Sequence, residues 1–191
     1  MIRSPPPPKL CFVGREFLAS GLLALNFVNS FSNLLKLHRR LDDLFLEHQR
    51  ALLRLNLLAA SRTLDQYERE LLAHIQDEES LMIPLYVERV TAPLGGAPDI
   101  FLGEHDKLRQ FLVLIREELN KLATVDDLER GVLFLIDSEH LFKRLLVHHD
   151  TREKKMLYPL LDSITNEIER EDLFKQLRLS PEPKSEAVGQ A

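Results

Sequence analysis

The segment His74-Ile75-Gln76-Asp77-Glu78, followed by Pro84-Leu85, returns 75 positions later as His149-Asp150-Thr151-Arg152-Glu153, followed by Pro159-Leu160. In both copies the His and Glu are four residues apart, and the proline follows the glutamate by six. On a helix this spacing stacks the two side chains on one face. Each copy therefore presents an imidazole and a carboxylate in the same direction, a donor pair that suits a first-row transition metal. A lone His-x3-Glu arises by chance in any helical protein, but the shared Pro-Leu offset makes this an internal repeat. Two such helices could clamp one or two metals between them.

The rest of the chain reads as helix. Residues 9–83 contain no proline, and their apolar residues recur at helical spacing. Leu41, Leu44, His48, Leu52 and Leu55 form the stripe of a first core helix ending near Ala60. Thr63 with Gln66 resembles a capping box opening a second helix. Its stripe is Tyr67, Leu71, His74, Glu78, Leu81 and Leu85, with Pro84 kinking or ending it. Residues 93–98, with Gly95-Gly96 between two prolines, mark a loop. A third helix starts near Asp99 and carries His105, Leu108, Leu112, Ile115 and Leu119. Asp126 or Asp127 opens a fourth with Phe142, Leu145, Leu146, His149, Glu153, Met156 and Leu160, and Gly131 is a place for it to bend. No segment alternates like a strand. The expectation is all-α: an antiparallel up-down four-helix bundle with an additional N-terminal helix.

Three regions follow. Residues 1–37 form an N-terminal extension, with prolines at 5–8 and an apolar helix over about 17–31. Residues 38–165 form the bundle, and residues 166–191 a helical stretch with a disordered tail. Polar residues Asn26, Asn29, Ser30 and Ser32 interrupt the apolar segment, leaving it short of the roughly 20 residues that a membrane span needs. The net charge of −5 and the absence of a basic block give no reason to expect nucleic acid. Cys11 is the single cysteine, which rules out an internal disulfide and a thiolate-held cluster and fits a reducing, cytoplasmic location.

His48, His74, Glu78, His105, His149 and Glu153 all stand where a bundle core wants Leu or Ile. A buried carboxylate without a partner costs several kcal/mol, and two facing each other cost more. A divalent metal neutralises the carboxylates and satisfies the imidazole nitrogens together. Of the remaining histidines, His38 and His140 are expected on the surface, and His148 lies one position off the stripe. Tyr67 and Phe142 are expected to pack in the core, with Glu79 a secondary rival to Glu78 and Glu47 and Glu104 in edge ion pairs.

With these residues the chain resembles the hemerythrin-like, or HHE cation-binding, family over about residues 41–161. The resemblance implies a non-haem di-iron centre, with Glu78 and Glu153 as bridges and His48, His74, His105 and His149 as terminal ligands. Oxygen-carrying members have a further histidine one turn after the third-helix ligand, where this chain has Arg109. An arginine facing the centre would bind an anionic ligand such as peroxide as part of the cofactor site. The implied function is to bind or sense oxygen, reactive oxygen or nitrogen species, or iron, with a small diatomic or peroxide as partner. The alternatives are a di-iron enzyme that activates oxygen or decomposes peroxide, and a metal-free helical interaction protein. Ferritin-type Glu-x-x-His and zinc-peptidase His-Glu-x-x-His are both absent.

Overall fold

In the computed structural model, which describes residues 29–181, four long helical arms run up and down around two apolar clusters. A 3-10 turn, Phe31–Leu34, leads into α1, Leu35–Leu53. The chain reverses at Leu55, whose φ of 57° is unusual for a residue with a side chain. Asn56 then caps α2, Leu57–Asp77, by accepting a hydrogen bond from the Ala59 N–H. The capping box expected at Thr63 is absent, because the left-handed turn and the asparagine cap start the helix about two turns earlier. Thr63 donates instead to the carbonyls of Ala59 and Ala60 within α2.

Pro84 does not end the second arm. A π-helical turn, Glu78–Met82, intervenes, and the arm continues as α3, Ile83–Arg89. The fourth arm repeats this design. α5, Leu128–Arg152, passes through the π turn Glu153–Leu157 into α6, Tyr158–Ile164. A proline ring collides with the carbonyl four residues earlier and offers no N–H to it. The widened turn absorbs both problems, as π-bulges in helices do, often at functional sites. In each copy the residue before the proline donates its N–H to the carbonyl of the repeat glutamate, Ile83 to Glu78 and Tyr158 to Glu153. The glutamate thus opens the turn that its own proline imposes.

The third arm is α4, Pro98–Lys121, with proline at its start, where the missing N–H costs nothing. Asp127 caps α5 by accepting from the Arg130 N–H. Gly131 lies inside α5. It makes room, since a Cβ there would lie 2.8 Å from Leu122 Cδ2. A short helix, α7 (Glu167–Gln176), carries a true capping box between Asn166 and Glu169. Two buried or half-buried carboxylates tie the ends of the described chain to the bundle. Asp162 accepts from the Phe31 N–H and the Ser30 hydroxyl, and Asp77 accepts from the Arg178 backbone and guanidinium. The proline-rich head, the N-terminal helix up to residue 28 and the tail from residue 182 lie outside the described residues.

One apolar cluster holds Leu41, Phe45, Leu52, Tyr67, Leu71, Leu108, Leu112 and Phe142; the other holds Phe31, Leu34, Met82, Tyr86, Phe101, Leu157 and Tyr158. Each arm crosses from one to the other through a polar layer. His38 lies between Leu34 and Leu41, and Glu78 between Ile75 and Met82. On the other two arms His105 lies between Phe101 and Leu108, and His149 with Glu153 between Phe142 and Leu157. No helix among the described residues is long and apolar enough to cross a membrane.

Candidate metal centre

Six side chains meet in the polar layer: His38 from α1, His74 and Glu78 from the second arm, His105 from α4, and His149 and Glu153 from the fourth. All six are buried. Their donor atoms fall into two overlapping sets, each within 4.8 Å: His38, His74, Glu78 and Glu153, and Glu78, His105, His149 and Glu153. The two carboxylates belong to both sets. Glu78 turns Oε1 towards His74 Nε2 at 3.6 Å and Oε2 towards His105 Nε2 at 3.2 Å. Glu153 turns Oε2 towards His38 Nε2 at 3.4 Å and Oε1 towards His149 Nε2 at 2.8 Å.

The donor set fits a metal by the atoms it leaves without hydrogen bonds. Glu78 Oε2, His105 Nε2, His149 Nε2 and Glu153 Oε1 are all buried and unpartnered, the last two being close but misaligned. These are one atom from each member of the second set. Burying polar atoms unpaired costs about 1–3 kcal/mol each. Four orphans converging on one point are what a cation between them would satisfy.

The electrostatics agree. Two carboxylates cannot both ionise in this layer without a cation. Burial, then the Glu78 charge, push the Glu153 carboxyl well above the usual range. Glu78 is also buried, but the imidazoles of His74, His105 and His149 outweigh that and hold it well below. Burial, reinforced by His74, lowers His38 to about 3, and burial lowers His74 as well. Lowered values favour the neutral ring, the form that binds metal. His149 is buried too, but Glu153 and Glu104 outweigh that and raise it well above the ordinary range.

Carboxylates behind the imidazoles set ring orientation. His105 Nδ1 lies 3.0 Å from Glu79 Oε1, and His149 Nδ1 lies 3.2 Å from Glu104 Oε2. With Nδ1 donating outward, Nε2 presents its lone pair to the centre, an arrangement typical of metal-binding histidines. Each carboxylate is held by an arginine, Glu79 by Arg109 at 2.6 Å and Glu104 by Arg152 at 3.1 Å. Arg152 also donates to the Gly95 carbonyl. Burial raises Glu104, but hydrogen bonds from His149 and Arg152 prevail and keep it below the ordinary carboxylate range.

Several sequence expectations change. His48 is buried but lies away from the centre. Its Nδ1 donates to the Ala60 carbonyl and its Nε2 faces Glu139 Oε1 at 2.9 Å, both side chains being fully buried. His38, expected on the surface, takes the place in the layer, with its ring 2.8 Å from His74 Nε2 and 3.0 Å from the Tyr158 hydroxyl. The signal was available: His38, Leu41, Phe45, His48 and Leu52 share one stripe, and seven residues from His38 to Phe45 leave only about 20° between them. Arg109 does not face the centre. Glu79 and Asp106 hold its guanidinium on the outer side of His105. Glu104 is more than an edge ion pair, and Glu79 stands behind His105 instead of rivalling Glu78 in the layer. Tyr158, not among the candidates from sequence, donates to Glu78 Oε1 at 2.7 Å.

A sequence model of the family described as the hemerythrin HHE cation-binding domain matches residues 29–161. The chain belongs to this family. Neither the curated proteins nor the solved structures compared with it include a match. The matched span of the hemerythrin-like domain contains all six residues of the polar layer and both π turns. His140 and His148 point away from its core and are exposed.

Proposed function

We propose that this hemerythrin-like chain holds two non-haem irons and binds or senses a small oxygen- or nitrogen-containing ligand at them. One observation carries the reading: Glu78 and Glu153 each direct one carboxylate oxygen into each of two histidine pairs, His38 with His74 and His105 with His149. A single ion would use one such set; two sets sharing both carboxylates suit two ions with bridging carboxylates. Imidazole and carboxylate donors without thiolate suit iron among the first-row metals, in keeping with the family's cation-binding description. Two histidines and two carboxylate oxygens leave positions of a six-coordinate iron for an outside ligand.

A cavity beside His38, His74 and His149, closed by Leu41, Leu71, Leu146 and Tyr67, favours a small ligand. Its volume, about 10 Å³ open to the centre of a water-sized molecule, admits roughly one water. So small a space suits a ligand of one or two heavy atoms.

Metal analysis and absorbance of protein purified under air test the proposal. Two irons per chain and near-ultraviolet charge-transfer bands of a bridged ferric pair are expected. Glu78→Ala and Glu153→Ala should each lose most of the iron. Full iron retention in both variants would overturn the assignment.

A further inference from the structure

The two copies of the repeat differ in the residue that precedes the proline. In the first copy the residue before the proline is Ile83, a buried hydrocarbon; in the second it is Tyr158. On a regular helix, Tyr158 would lie about 140° round from Glu153. The π turn Glu153–Leu157 removes that offset, since its i→i+5 bond brings Tyr158 back above the glutamate. The hydroxyl therefore ends inside the polar layer rather than beside it. It lies 2.7 Å from Glu78 Oε1, 3.2 Å from Glu153 Oε2 and 3.0 Å from His38 Nε2. All three residues belong to the donor set that also includes His74.

These separations lie in the hydrogen-bond range and also match the spacing of neighbouring ligands on one metal ion. Around a six-coordinate ion with bonds of about 2.1 Å, neighbouring ligands at right angles are about 3.0 Å apart. The hydroxyl stands at that spacing from three donors at once, and His38 Nε2 stands 2.8 Å from His74 Nε2. A phenol serving only as a strut for one carboxylate has no need to approach an imidazole and a second carboxylate equally closely. The other set, around His105 and His149, contains no such hydroxyl, and there the four donor atoms remain unpartnered.

We propose that the phenolate oxygen of Tyr158 is itself a metal ligand, bound to the ion held by His38 and His74. The inference rests on the di-iron reading above. Coordination replaces the O–H bond of Tyr158 with an O–metal bond and releases one proton to solvent, with no change of oxidation state. The two ions are then unequal. The one beside Tyr158 gains a fifth protein donor, and the one between His105 and His149 keeps more open positions.

The chain contains three tyrosines, Tyr67, Tyr86 and Tyr158, which makes the test direct. The protein is loaded aerobically with iron, its iron content measured, and its visible absorption and resonance Raman spectra recorded for the wild type and for Tyr158→Phe, Tyr67→Phe and Tyr86→Phe. The expected result is a visible tyrosinate-to-iron band with resonance-enhanced tyrosinate ring modes in the wild type. Tyr158→Phe should abolish it and the other two variants should retain it. A wild type with two irons and no tyrosinate signature overturns the proposal and leaves the di-iron reading standing. A signature that survives Tyr158→Phe, or disappears with Tyr67→Phe or Tyr86→Phe, also overturns it. A wild type that takes up no iron overturns both. Should Tyr158→Phe fail to fold, the wild-type spectrum together with the other two variants still decides the matter.

Discussion

Replacing Glu139 by alanine separates the buried pair that supports the bundle from the residues of the polar layer. Glu139 and His48 are fully buried 2.9 Å apart, and Gln49 donates to the other carboxylate oxygen at 2.7 Å. Glu139→Ala leaves the His48 Nε2 facing a void where water has no easy access. Removing one partner of such a pair costs about 3–5 kcal/mol. In a chain of this size that corresponds to a fall in Tm of roughly 6–20 °C. Replacing both partners, as His48→Leu with Glu139→Leu, removes the orphan along with the pair. The Ala60 carbonyl that His48 occupied retains a hydrogen bond from Thr63. The double variant should therefore recover most of the loss, to within about 2 kcal/mol of the wild type. Thermal and urea unfolding of the metal-free protein measure both effects, and metal analysis runs alongside. Iron content should be unchanged in the double variant and lost in His38→Ala. A double variant as unstable as Glu139→Ala would refute the pair energetics. Iron lost with His48→Leu but kept with His38→Ala would refute the placement of His38 in the centre.

Two further outcomes follow from the surroundings of the centre. Burial, helped by the charges of Asp42 and Glu78 and opposed by His149, raises the Asp150 carboxyl to about 7, and 32% of its side chain stays exposed. A group with its folded value raised above the unfolded 3.8 contributes stability below that value and loses it as pH rises through about 7. Asp150→Asn should accordingly raise the Tm of the metal-free protein by an amount that grows from about pH 4 to pH 7 and then levels off; a pH-independent difference would contradict this. Glu79→Gln weakens the carboxylate that orients His105 and should cost about 10–100-fold in metal affinity, read by chelator competition. Arg109→Leu, one bond further out, should cost less; an equal or larger loss would mean that Arg109 acts on the centre directly.

Local periodicity made much of this protein legible. Four apolar stripes, the proline-free run and the His-x3-Glu repeat specify helices, and the family follows from the same residues. His74 with Glu78 and His149 with Glu153 share a face whatever surrounds them, because i and i+4 are neighbours on any helix. The prolines announced a break, but not that the helix would continue past it, since a π turn and a helix end satisfy the same local constraint. What the tertiary structure alone decided is which buried histidine meets which carboxylate. His38 and His48 lie on one stripe of one helix, and nothing within that helix separates a core imidazole paired with a carboxylate from one in the polar layer. Glu139 lies 91 residues from His48, and Tyr158 lies 120 residues from His38. Only the depth at which α1 packs against α5 brings Glu139 to His48 and leaves His38 level with Glu153. Helical faces are a local property set by a fixed angle per residue, whereas the level at which two helices meet is set by packing along their whole length.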